Sequence, residues 1–401
     1  MLKGESRSTS AVALSSAFVF QLSRGIMSPV MPLYFASLGF PAVEIGILFS
    51  MWGVGTIVFE PAIGVLADRG RRSAMMCAIS LGTCVLYVLF TLTGSFIGFA
   101  VLQFFLGGMF AGIAVLFRYA IPLVVAPGRP SAAYGLLGSA YSGAAVIGAL
   151  VGGFVLSASG YRLPFYLASA AAAISIVPIW YSRIGARAAR RMEEASGRPA
   201  ASRRRTSELV LMGGMAMSAF LIFIVVISMM PLVVTASPFD ASPFGVGVLL
   251  AAFNGSLLLF QPVIGHFGAS RPRTSMALGL LGGALCFFVL VFAKSTLAAY
   301  ASAVIAGMSF SAISTHSLAR FTRLVSSSRQ GVAIGIYGAA EDVGVIVGPL
   351  VFSSIWAAVS LDAALIAISA ILLVVLLAYI LPWSARSKSG GVPSPGNELL
   401  H

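Results

Sequence analysis

Phe59-Glu60-Pro61-Ala62-Ile63-Gly64 recurs 201 residues later as Phe260-Gln261-Pro262-Val263-Ile264-Gly265. Working outward, Met31-Pro32-Leu33 reappears as Met230-Pro231-Leu232, and Gly135, Gly138 and Gly148 reappear as Gly335, Gly338 and Gly348. Three matches at nearly one offset make the chain two parallel repeats. Such halves, each with an even number of apolar spans, are related by an axis along a membrane normal and enclose a site near the midplane.

The chain of 401 residues is 59% hydrophobic and only 9% charged, with a mean hydropathy of +0.99. A soluble domain carries about 25% charged residues, so these charges cannot cover a watery surface of this size. Apolar runs of about 20 residues cross a hydrocarbon core roughly 30 Å thick. They are continuous rather than alternating, which selects helices over a barrel. The expected fold is an all-α membrane protein with twelve spans in two six-helix halves. Breaks in hydropathy place the spans at 10–36, 43–67, 74–93, 96–125, 133–158 and 162–182, then 208–235, 244–267, 274–293, 296–324, 331–357 and 361–382. The domains are therefore 1–182, a linker 183–207 with eight arginines, 208–383, and a Ser/Gly/Pro-rich tail 384–401 expected to be disordered.

The formal net charge is +13. It is read as topology and not as a nucleic-acid surface, because cytoplasmic loops collect Lys and Arg. With both termini cytoplasmic, Lys3, Arg7, Arg69, Arg71, Arg72, Arg129, the linker arginines, Arg271, Arg273, Arg323, Arg329, Arg386 and Lys388 fall inside, against Arg162 and Lys294 outside. The expected location is the inner or plasma membrane. The first apolar run is too long for a signal peptide and is read as span 1. Cys77, Cys84 and Cys286 fall in apolar segments without a metal-ligand spacing and read as small buried hydrophobes.

The loop after span 2 carries the resemblance to a family. It reads Gly64-Val65-Leu66-Ala67-Asp68-Arg69-Gly70-Arg71-Arg72. This resembles the signature G-x-x-x-D-R/K-x-G-R/K-R/K of the major facilitator superfamily, one residue short, and with the repeat the likeness covers essentially the whole chain. The resemblance implies that Gly64, Asp68, Arg69, Gly70, Arg71 and Arg72 latch the halves together in an outward-open state. Locally, Gly70 tolerates the positive φ of a tight turn, and Asp68 is a carboxylate placed among three guanidiniums. Span 5 carries Gly148-Ala149-Leu150-Val151-Gly152-Gly153, similar to the G-P-x-x-G-G motif of the family's proton-driven antiporters. Its repeat partner in span 11 has the proline: Gly344-Val345-Ile346-Val347-Gly348-Pro349. Small residues at this spacing also serve plain helix packing. The family's R-x-x-Q-G motif reads Gln103-Phe104-Phe105-Leu106-Gly107 here, so no coupling runs through that arginine.

An ionisable side chain inside a span costs at least a few kcal/mol unless paired or hydrated, so each is a functional candidate. Glu60 lies eight residues before Asp68, and its repeat partner is the neutral Gln261. It is either a proton or substrate site or a static partner for Arg24 or Arg118. Glu341 and Asp342 interrupt an apolar run where the first half has Tyr141 and Ser142, and at least one is expected to titrate during transport. Arg24, near the middle of span 1, either binds an anionic substrate or neutralises Glu60; the second reading is preferred. Arg118 is open to both roles. Arg320 is expected to snorkel. His316 is either a proton relay or simply hydrogen-bonded.

No G-x-x-x-x-G-K-[ST] loop, metal-ligand cluster or Ser-His-Asp arrangement is visible, so neither ATP drive nor an enzyme is expected. No cofactor or metal is called for. The reading is a proton-coupled carrier of small molecules in the lipid bilayer, working by alternating access and able to act as a monomer. Efflux of amphipathic compounds or drugs leads. Uptake of a small anion on Arg24 and Arg118 is the alternative, and facilitated diffusion without a coupling ion is the third.

Overall fold

The computed structural model describes residues 2–68, 72–124, 130–182, 206–267, 271–324 and 330–389. These residues form helices and connecting turns, with no strand among them. Twelve segments are long and apolar enough to span a membrane. In the first half they are span 1 (Leu2–Ser37), span 2 (Ala42–Asp68), span 3 (Arg72–Phe90), span 4 (Phe96–Val124), span 5 (Pro130–Ser159) and span 6 (Arg162–Ile174 with Ile176–Ser182). In the second they are span 7 (Thr206–Ser228 with Met230–Thr235), span 8 (Pro243–Phe267), span 9 (Pro272–Phe292), span 10 (Thr296–Arg323), span 11 (Gln330–Ala358) and span 12 (Leu361–Ser389). The last helix runs six residues past the expected start of the tail, and 390–401 lie outside the described residues.

Spans 6 and 7 are each broken once, where the hydropathy pattern predicts unbroken helices. Pro178 has no N–H for the carbonyl of Ile174, and Pro231 has none for Ile227, so the ladder lapses at Ser175 and Met229. At the first break the Ser175 hydroxyl donates to the Ala172 carbonyl at 2.7 Å and lies 3.0 Å from Ser80 Oγ of span 3. The repeat extends to the turns. Gly39 and Asp240, 201 residues apart, both hold positive φ, at 87° and 47°.

Within lipid there is no hydrophobic drive for one helix to seek another, so close approach through small residues sets the packing. In the first half, Gly148 and Gly152 of span 5 meet the backbone of Gly25 and Ile26 in span 1. In the second half, Gly344 and Gly348 of span 11 meet span 7 at Met217, Leu221 and Ile224. Across the halves, span 2 packs on span 11 and span 5 on span 8. Gly46 meets Pro349 and Ser353, and Gly53 meets Ile346. Ser50 Oγ donates to the Ile346 carbonyl at 2.8 Å. Gly153 meets Gly247, with 3.0 Å between a Cβ built on Gly153 and the Gly247 Cα.

All these cross-half approaches lie toward the face away from the termini. Toward the termini face, Gly64, Gly135 and Gly335 have no described atom within 4 Å of a Cβ position. The closest described approaches of the two backbones thus lie at the face away from the termini. Of the loop expected to act as a latch, Arg69, Gly70 and Arg71 lie outside the described residues; Asp68 ends span 2, and Arg72 begins span 3 and is buried.

Candidate functional site

Glu60 and Gln261 occupy matching places on spans 2 and 8, and each reaches across to a glycine of the other half. Glu60 Oε2 lies 2.9 Å from the Cβ position of Gly338, and Gln261 Oε1 lies 3.4 Å from that of Gly138. A side chain at Gly338 would displace the Glu60 carboxyl end, while at Gly138 a Cβ would just touch Gln261. The repeat glycines noted in the sequence therefore clear space for Glu60 and Gln261, a role that glycine spacing alone does not disclose.

Around Glu60 the symmetry ends. Arg118 Nη2 of span 4 lies 3.8 Å from Glu341 Oε2 of span 11, an ion pair joining the two halves. The Glu341 side chain is 11% exposed and that of Arg118 is 39% exposed, so the pair is open on the arginine side. Arg118 is also the cation whose field reaches Glu60. Asp342 faces Glu60 and the Thr56 hydroxyl, and its Oδ2 is buried with no hydrogen-bond partner among the described residues. Among the described residues Arg118 is thus ion-paired with Glu341, and Glu60 and Asp342 lie within electrostatic reach at the junction of spans 2, 4 and 11.

Arg24 belongs elsewhere, which corrects its expected pairing with Glu60. No carboxylate lies within salt-bridge distance of it among the described residues. Its guanidinium carbon sits 4.6 Å from the centre of the Trp52 ring, 5.4 Å from Phe223 and 5.9 Å from Phe110. Aromatic faces carry negative quadrupole charge and attract a cation at these distances. Arg24 and Phe223 are repeat partners at the same offset as Met31 and Met230, so the two meet across the junction of the halves.

A cavity of about 440 Å³ opens beside this cage, lined among others by Arg24, Trp52, Tyr87, Gln103, Phe110 and Ile227. Gln103, singled out in the sequence only for replacing an arginine, is 2% exposed. Gln103 Nε2 and Trp52 Nε1 are both buried donors without a partner among the described residues. The charge cluster lies farther along span 2: Trp52 and Glu60 are eight residues apart, about 12 Å of helix.

The remaining candidates are dispersed. His316 is buried on span 10, and its Nε2 has no partner among the described residues. Arg320 does not snorkel freely; its Nη2 lies 3.5 Å from Glu208 Oε2. Cys77, Cys84 and Cys286 are free thiols. No group of three or more His, Cys, Asp or Glu fit to hold a metal occurs among the described residues.

The family model described as Major Facilitator Superfamily matches residues 13–236 and 210–398. The quinolone resistance protein NorA of Staphylococcus aureus strain MRSA252 is 26% identical over 161 residues, which are 40% of this chain and 41% of NorA. The match thus spans about two-fifths of that relative's length. An uncharacterised MFS-type transporter of Methanocaldococcus jannaschii is 22% identical over 345 residues, 84% of this chain and 88% of the relative. Among solved structures, a bacterial homologue of the human lysosomal transporter Spinster, inward-facing and unoccupied, superposes with a TM-score of 0.74 at 14% identity, covering 97% of this chain and 99% of that one. The nucleoside transporter NupG gives 0.74 at 14% identity, covering 94% and 99%. At these identities the structural likeness speaks for the fold alone.

Proposed function

The chain belongs to the Major Facilitator Superfamily, and from that premise we propose that it is a proton-coupled secondary transporter that exports small amphipathic compounds by alternating access. The observation that carries this reading is the cluster of Glu60, Glu341 and Asp342 around the single cation Arg118. Its members come from both halves, so rocking one half on the other changes their spacing. The cluster balances Arg118 only when two of the three carboxyls hold protons. Parting Arg118 from Glu341 alters how many protons the cluster keeps, which links proton traffic to the conformational cycle.

Orientation follows from the loops, with the arginine-rich linker and both termini in the cytoplasm, and on the efflux reading compounds enter the Arg24 cavity from the cytoplasmic side. The family resemblance assigns Gly64, Asp68 and Arg72, with the loop between them, to latching the halves together in the outward-open state. The apolar lining of the Arg24 cavity by Met27, Met31, Phe49 and Phe110 supports amphipathic substrates, and the partial likeness to a protein named for quinolone resistance supports efflux. The protein works as a monomer in the plasma or inner membrane.

The test uses everted membrane vesicles with an acid interior reported by a dye. Amphiphiles that are cationic, neutral or anionic are added to wild type, Glu60→Gln and Glu341→Gln. Discharge of the gradient by a compound in wild type alone is the expected result. Discharge in neither, with organic-acid uptake appearing in whole cells, overturns efflux and promotes the anion importer.

A further inference from the structure

Three side chains at the central cavity offer donors that nothing in the described protein accepts. The Arg24 guanidinium has aromatic faces for neighbours and no carboxylate. Trp52 Nε1 and Gln103 Nε2 are buried and unpartnered. A buried donor left unmade is costly, and the half-buried Arg24 guanidinium stands at the cavity without a counter-ion among the described residues. All three line the same 440 Å³ space, together with Met27, Phe49 and Phe110. A cavity that supplies donors and rings calls for an occupant that supplies an acceptor and a flat apolar body.

We propose that this cavity selects compounds bearing a carboxylate, or a comparably acceptor-rich group, on an aromatic frame, with Arg24, Trp52 Nε1 and Gln103 Nε2 meeting the acceptor end. This rests on the reading of the chain as an exporter of amphipathic compounds and narrows its substrate class to organic anions and zwitterions. The guanidinium is pre-placed by Trp52, Phe110 and Phe223, so it loses little freedom when it takes up a carboxylate through two parallel N–H donors. The Trp52, Phe110 and Phe223 rings, already beside the cation, flank the aromatic body of the bound compound. A cationic amphiphile of the same shape meets Arg24 head-on and is rejected by like charge.

The experiment measures equilibrium binding of 2-naphthoate, 2-naphthamide and 2-naphthylmethylammonium to the purified full chain in detergent. The three share one ring system and differ in charge. The expected order is naphthoate tightest, naphthamide weaker by at least tenfold, and the ammonium weakest. Arg24→Gln removes the preference of naphthoate over naphthamide, and Arg24→Lys restores part of it. Gln103→Leu weakens both acceptor compounds and leaves the ammonium unchanged, which keeps the proposal open to test if Arg24 variants fail to fold by size-exclusion profile. Equal or tighter binding of the ammonium overturns the proposal. So does naphthoate affinity unchanged in Arg24→Gln, or no binding of any of the three. Binding in detergent needs no gradient, so a chain that selects naphthoate but discharges no protons keeps this assignment and loses the coupling.

Discussion

The two halves share a scaffold and differ in what fills it. In the first half, Tyr34, Phe35, Phe90, Phe99 and Phe165 form one aromatic cluster, with Phe90 stacked on Phe99 and Phe165 at 5.9 Å each. The matching positions in the second half are Val233, Val234, Leu290, Ala299 and Leu365, all aliphatic. Leu290 and Ala299 border a small apolar pocket there. The same contrast runs through the centre. Arg24 lies over Trp52 and Phe110, while its partner Phe223 lies against Phe253 and Phe310, at 5.7 and 5.4 Å. Each of those rings is the repeat partner of the one in the first half. The geometry of a helix crossing is thus kept by duplication, while a single cation replaces a ring at one of two equivalent places. Charge sits where the repeat is broken: Arg24 for Phe223, Glu60 for Gln261, and Glu341 and Asp342 for Tyr141 and Ser142.

The sharpest way to break this comparison is to move the charge. Glu60→Gln copies the second half into the first and abolishes gradient discharge in everted vesicles. Adding Gln261→Glu to it rebuilds a carboxyl at the equivalent place but beside Gly138, away from Arg118, Glu341 and Asp342. The double variant stays uncoupled; recovery of discharge would show that the position alone suffices. Next in size is Phe99→Ala in the aromatic cluster, expected to cost about 3–5 kcal/mol, read as a lowered melting temperature in detergent. Ala299→Val, its counterpart, adds two methyl groups to an aliphatic site beside a small pocket and costs about 1–3 kcal/mol, less than the loss of the ring. A cost for Ala299→Val equal to that for Phe99→Ala would remove the packing contrast. Phe223→Leu deletes one of the three rings facing Arg24 and weakens naphthoate binding by roughly 0.5–2 kcal/mol, a two- to thirty-fold change by titration. The smallest effect belongs to Lys294→Met. Its 2.9 Å pair with Asp362 is found in the second half only, where the first half has Gly94 and Arg162. Both side chains are more than a third exposed, so loss of the pair costs under about 1 kcal/mol and leaves transport intact.

The fold was legible because its signals are long-range in the chain but simple in kind. Apolar runs placed all twelve spans within a few residues, and Phe59–Gly64 with its repeat related the halves. The site was legible only as a set of suspects. Charge inside a span marks Glu60, Arg118, Glu341 and Asp342, because such groups cannot sit idle in lipid. Which charge meets which depends on helix rotation and crossing, and no residue spacing encodes that across halves. Arg24 shows the loss: the rings that hold it come from spans 2, 4 and 7, among many phenylalanines that are otherwise packing. Gln103 was visible only as a departure from a motif, since a buried amide without a partner is a property of the assembled cavity. The breaks at Ser175 and Met229 could have been read from Pro178 and Pro231, but hydropathy averages over a proline.

The central claim is that the carboxyls at the junction of spans 2, 4 and 11 carry the coupled proton. It is tested most directly by adding 2-naphthoate to the purified chain in weakly buffered detergent solution and following protons with a pH-sensitive dye. Binding in wild type changes the pH, and the change is lost in Glu341→Gln with binding retained. An equal change in both proteins, or none in a wild type that still transports against a proton gradient, would contradict it.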